Sequence, residues 1–165
     1  MTGDIFLFYP SKKMLSYYVA GQLGGVVHSS IELSEIVIDD ILIDKLLIEA
    51  NSGWKKVVIL PLSVRKGAMY DIYRLRQDYK PIWNLKESVR WALKQVGRPY
   101  DFWQILGIKL HKPLGKPNEY ICSEFVLKFY RAGGILLCRD KREELVVPPD
   151  FARDYQLEKV GEGIV

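Results

Sequence analysis

The chain has 165 residues, 48% of them hydrophobic and 27% charged, which is the composition of a globular protein and excludes a disordered or collagen-like chain. Its 24 Lys and Arg against 20 Asp and Glu give a net charge of +4, and the basic residues are scattered, so nothing outlines a nucleic-acid surface. Two cysteines exclude a disulfide scaffold, and no Cys/His cluster has zinc-site spacing.

The length fits one domain spanning residues 1–165. The N-terminal apolar run is short, follows Asp4 and precedes Lys12 and Lys13, the reverse of a signal peptide. No apolar stretch approaches the roughly 18 residues that span a bilayer. The expected location is therefore the cytoplasm, with both thiols reduced.

In chain order, Ile5 to Tyr9 reads as a short buried strand ended by Pro10. Met14, Leu15, Tyr18, Val19 and Leu23 recur at helical spacing before Gly24 and Gly25. Val26 to Leu33 is rich in β-branched residues and reads as a strand carrying His28. Ile36 to Ile43 is apolar but interrupted by Asp39 and Asp40, a turn signal. Leu46 to Ala50, Val57 to Leu62 and Tyr70 to Leu75 read as further strands, with a turn at Asn51 to Gly53.

The pattern then becomes helical. Asn84 with Glu87 three residues later resembles a capping box. Leu85, Val89, Ala92, Leu93 and Val96 form a stripe closed by Gly97. Residues 98–118 read as a long loop. Tyr120 to Ala132 reads as a second amphipathic helix, with Ile121, Phe125, Val126 and Phe129 on one side and Gly133 and Gly134 at its end. A short helix near Pro149 and an irregular tail close the chain. Strands in the middle with flanking helices predict an α+β fold with a mostly antiparallel sheet.

Cys122 falls where the second helix begins. Unpaired amides and the positive dipole end favour a thiolate there, and the same amides suit an oxyanion. The plainer alternative is a small buried hydrophobe. Cys138 has no such setting and reads as structural. His28 can serve as a base for a thiol, or can be a satisfied core histidine. His111 has basic neighbours and reads as a surface residue. A base needs a third group to fix its ring. Glu32 lies four residues along the same strand, roughly 13 Å away and too far. Glu49, polar within an apolar run, can reach His28 from a neighbouring strand and accept from Nδ1–H, or can face solvent. Tyr100 can donate to an oxyanion or simply pack, and Asp101 suits a turn or a helix cap.

The order of these pieces resembles the permuted branch of the NlpC/p60 papain-like cysteine hydrolases, the group of YiiX-like and lecithin:retinol acyltransferase-like proteins. Gly3-Asp-Ile-Phe6 resembles the opening strand, His28-Ser-Ser-Ile31 the histidine strand, and Ile48-Glu-Ala50 the strand bearing the third polar residue. Gly97-Arg-Pro-Tyr-Asp101 resembles the family's Gly-x-Pro-Tyr-Asp turn. Tyr120-Ile-Cys-Ser-Glu-Phe-Val126 resembles the nucleophile helix, and Pro148-Pro-Asp-Phe-Ala152 the closing segment. His28 and Glu49 precede Cys122, which is the permuted order. The resemblance implies a circularly permuted papain-like fold, with Cys122 as nucleophile, His28 as base, Glu49 as orienting residue and Tyr100 polarising the carbonyl. It implies no metal or organic cofactor. The implied substrate is a small peptide, an amino-acid amide or another acyl compound. The same fold also admits lipid acyl transfer or thioesterase action, for which Trp83, Trp91, Phe102 and Trp103 are candidate membrane-facing residues, or a non-catalytic binding protein. The link from His28 to Glu49 is longer than a short hairpin, so the acidic 32–48 segment is a candidate lid or docking surface.

Overall fold

A computed structural model describes residues 1–9, 28–38 and 41–165. The helical spacing of Met14 to Leu23 and the turn at Asp39 and Asp40 lie outside them. Six strands make one sheet: β1 (Ile5–Phe8), β2 (His28–Ile38), β3 (Ile41–Asn51), β4 (Lys56–Pro61), β5 (Met69–Leu75) and β6 (Leu157–Ile164). Their order is β4-β3-β2-β1-β5-β6, and every neighbouring pair is antiparallel. Helices α1 (Leu85–Gln95), α2 (Phe102–Leu110), α3 (Cys122–Ala132) and the short α4 (Pro148–Phe151) follow β5. This is the expected α+β architecture.

The central strand β1 is buried on both faces, which is why its sequence is apolar without alternation. Ile5 and Leu7 join Ile31, Ile48, Ala50 and Val57 in the core shared with Phe125, Val126 and Phe129 of α3. Phe6 and Phe8 point the other way, into a smaller cluster with Leu47 and Leu62. Glycine makes close packing possible where α3 ends: a Cβ on Gly133 would stand 2.3 Å from Ser88 Oγ and 2.6 Å from the Trp83 ring. Trp83 in turn stacks on Tyr130 at 5.0 Å between ring centroids.

Three sequence expectations need correction, and the long link from His28 to Glu49 takes a definite form. The segment between His28 and Glu49 is a long hairpin, because the apolar residues of 36–43 extend β2 and β3, pairing Val37 with Leu42 and Ile38 with Ile41. Its described acidic side chains are tied in: Glu32 is fully buried with Lys45 Nζ at 2.9 Å and the Met1 amine beside it, and Asp44 accepts from the Lys45 and Ser63 amides. The expected loop of 98–118 contains α2, which Asp101 caps by accepting from Gln104 N at 2.9 Å. The expected irregular tail ends in β6, where Gly163 lies against the Tyr70 ring; a Cβ there would meet the phenol oxygen at 2.7 Å. Finally, of the expected stripe Ala92 is buried and Leu85 and Val89 pack on the core, but Leu93 and Val96 are exposed, and Ser88 is buried on α1 as well.

Candidate active site

Cys122 is the first residue of α3, and His28 is the first residue of β2. The helix start abuts the strand start, so the buried thiol lies within hydrogen-bonding reach of the His28 ring and of Ser29. The amide before the helix comes from Ile121, which offers no side-chain cap. The amides of the first turn therefore keep their donor capacity beside the sulfur.

Glu49 enters from β3. It lies opposite Val58 in register and is completely buried. Its Oε2 stands 2.9 Å from His28 Nε2. The ring N–H is not well aligned for a full hydrogen bond, and neither atom has another hydrogen-bond partner among the described residues. The contact is thus an ion pair in which each atom faces the other alone. It uses Nε2, where the sequence reading expected Nδ1–H.

The other oxygen of Glu49 is held twice. Asn51 Nδ2 donates to Oε1 at 2.5 Å, and Arg65 Nη2 pairs with the same atom. Arg65 closes a 3-10 turn, Leu62–Arg65, that follows β4. Neither Asn51 nor Arg65 was singled out by sequence. Asn51 read only as a turn residue, and Arg65 lies in an unremarkable basic stretch.

These neighbours set the proton affinities. Burial disfavours a charged His28 and Arg65 opposes it too, but the Glu49 carboxylate and the Cys122 sulfur together outweigh them and the pKa is pushed up to about 9. Burial works against an ionised Cys122, yet the His28 ring and the Ser29 groups bring its pKa below the ordinary thiol value. Burial alone would raise Glu49, but the ring and Arg65 hold it down at about 2. The arrangement favours imidazolium beside thiolate, with a permanently ionised carboxylate behind.

Tyr100 is buried next to Cys122, reached through a bridge between Tyr100 and Tyr120. Burial and the charges of Cys122 and Glu49 raise its pKa, so the phenol keeps its proton as a donor. The structure therefore brings all four expected residues, Cys122, His28, Glu49 and Tyr100, to one place. It keeps the others away. His111 is exposed at the end of α2, Arg98 is exposed, and Cys138 is buried with its thiol pushed up by burial and by Asp154.

Compared with solved structures, the chain matches the crystal structure of metalloprotein YiiX from Escherichia coli O157:H7. The TM-score is 0.64 at 17% sequence identity, over 100% of this chain and 98% of that one. This chain has that fold. It is an α+β architecture, a six-stranded antiparallel sheet with packed helices, and YiiX-like proteins are the group that the motif order resembles. No protein-family model and no curated protein matches the sequence. The described residues of this chain do not fit a metal centre. Among them no three His, Cys, Asp or Glu side chains are grouped to hold an ion. The single histidine of the site is already flanked by a carboxylate and a thiol. Nor, among the described residues, is any helix long and apolar enough to cross a membrane.

Proposed function

We propose that the chain is a cysteine hydrolase that cleaves an amide, peptide or related acyl bond through an acyl-cysteine. The observation that carries this reading is the buried contact of Cys122 with His28, backed by Glu49. In the proposed cycle the Cys122 thiolate attacks the substrate carbonyl carbon. The developing oxyanion takes hydrogen bonds from the first-turn amides of α3 and from Tyr100. The His28 imidazolium gives its proton to the leaving amine as the carbon–nitrogen bond breaks. Water, deprotonated by His28, then attacks the acyl carbon, the carbon–sulfur bond breaks to release the acid, and the thiolate is restored beside the imidazolium. Base assistance of about 10²–10⁴-fold and an oxyanion donor of about 10²–10³-fold are the effects this geometry is asked to supply.

Iodoacetamide labelling followed by peptide mass spectrometry tests the reading. Cys122 is expected to label at neutral pH faster than a free thiol, and His28→Ala is expected to slow it about tenfold or more. Labelling no faster than a free thiol, and indifferent to His28→Ala, contradicts it.

One observation favours acyl transfer from a lipid as a second reading. Helix α2, which begins beside Tyr100, leaves Phe102, Trp103, Ile105, Leu106 and Leu110 between 40% and 53% exposed. Trp83 and Trp91, also candidates for such a surface, instead pack on the core against Tyr130 and Phe125. Co-sedimentation with neutral and anionic vesicles separates the two: binding lost on Trp103→Glu supports a lipid substrate, and no binding to either vesicle argues for a water-soluble one.

A further inference from the structure

The Glu49 carboxylate is shared. Oε2 faces His28 Nε2 at 2.9 Å, while Oε1 takes the Arg65 guanidinium and Asn51 Nδ2. Arg65 is held for this contact from several sides. Its guanidinium carbon lies 4.4 Å from the centroid of the Phe8 ring. The same ring lies 6.2 Å from the His28 ring, so Phe8 sits beside both cations. The 3-10 turn that presents Arg65 is anchored by buried Leu62, by Asp44 accepting from Ser63 N, and by the Ala68 amide donating to the Arg65 carbonyl. Two cations thus meet one buried anion, and they stand near enough to repel each other.

We propose that Arg65 is a positioning residue of this site, which holds Glu49 by one oxygen and competes with His28 for the carboxylate, so limiting how firmly His28 keeps its proton. The inference rests on the hydrolase reading for its purpose. A ring that binds its proton too tightly is a poor acid toward a leaving amine, whereas one without Glu49 is a poor partner for the thiolate. Arg65 sets His28 between these limits. Among the described residues, the charged or titratable groups facing His28 are Glu49 from β3, Arg65 from the turn after β4 and Cys122 from α3. Of these, Arg65 is the one that weakens its hold on the proton.

The chain has two histidines, so ring titration by NMR resolves His28 with His111 as the reference signal. Wild type is compared with Arg65→Lys, Arg65→Gln and Arg65→Met, each first checked for cooperative thermal unfolding. Removing the charge (Gln, Met) is expected to raise the His28 midpoint by about one unit, a tenfold tighter hold on the proton. Lysine, which keeps the charge, is expected to stay within about a third of that shift. An unchanged or lowered midpoint in a folded Gln or Met variant overturns the proposal, as does a Lys variant that behaves like Met. Should Met fail to fold, Gln carries the test, since it retains a donor to Glu49. Wild-type labelling of Cys122 reports separately on the hydrolase reading, because that experiment can fail while the Arg65 effect on His28 stands.

Discussion

At Glu49, a carboxylate with no solvent exposure, the charge is tolerable only because three donors surround it. Removing its charge has consequences opposite in sign to removing that of Arg65. In Glu49→Gln the His28 ring loses the anion that raises its pKa and keeps a cation nearby. Its midpoint is expected to fall from about 9 to about 6.5 or lower. Cys122 then loses its imidazolium partner at neutral pH, and labelling should slow by about tenfold. NMR titration and labelling on the same variant check both effects; a midpoint that stays near 9 contradicts the assignment of Glu49 as the source of the shift. The sequence could supply Glu49 as a candidate because a lone charge in an apolar strand demands a partner. It could not supply Arg65 or Asn51, whose roles arise only when β3 and the turn after β4 are side by side. Nor did it indicate which ring nitrogen meets the carboxylate.

At the level of elements, what could be read from sequence followed the strength of local signals. Helix α3 was legible because Phe125, Val126 and Phe129 are buried at helical spacing and Gly133 and Gly134 end the run. Helix α1 was legible through its cap, where Asn84 Oδ1 accepts from Glu87 N at 3.2 Å. Helix α2 was hidden: it is apolar on most sides, so no amphipathic stripe marks it, and the prolines and glycines after it suggest a loop. Strand β6 was hidden for another reason. Its glycines and charges have low strand propensity, and its pairing to β5 across a long sequence separation supplies the order. Asp101 is the residue on which α2 depends. It is fully buried, caps Gln104 N and accepts from Lys116 N at 2.6 Å. Asp101→Ala is expected to cost about 1–2 kcal/mol, measured by urea unfolding, with hydrogen exchange accelerated across Phe102–Leu110. Equal stability and unchanged exchange there would show that the cap is not what holds the helix.

For the whole molecule, the site is an encounter of segments separated by up to 94 positions, from residue 28 to residue 122, across the sheet–helix boundary. The family motif order made their meeting legible, because each short motif resembles a piece whose place in the fold is known. The geometry that joins them comes from the antiparallel sheet and from α3 packed on it. The depressed thiol pKa of Cys122 is accordingly a property of the folded chain and should vanish when the chain unfolds. Cys138 does not interfere, since burial pushes its thiol up, away from the neutral range. The most direct test is thiolate absorbance against pH, taken as the difference between wild type and Cys122→Ser, in buffer and again in denaturant. A Cys122 midpoint well below the ordinary thiol value of about 8.5, returning to it in denaturant, is the predicted result. A folded-state midpoint at or above that value would contradict an activated Cys122–His28 pair.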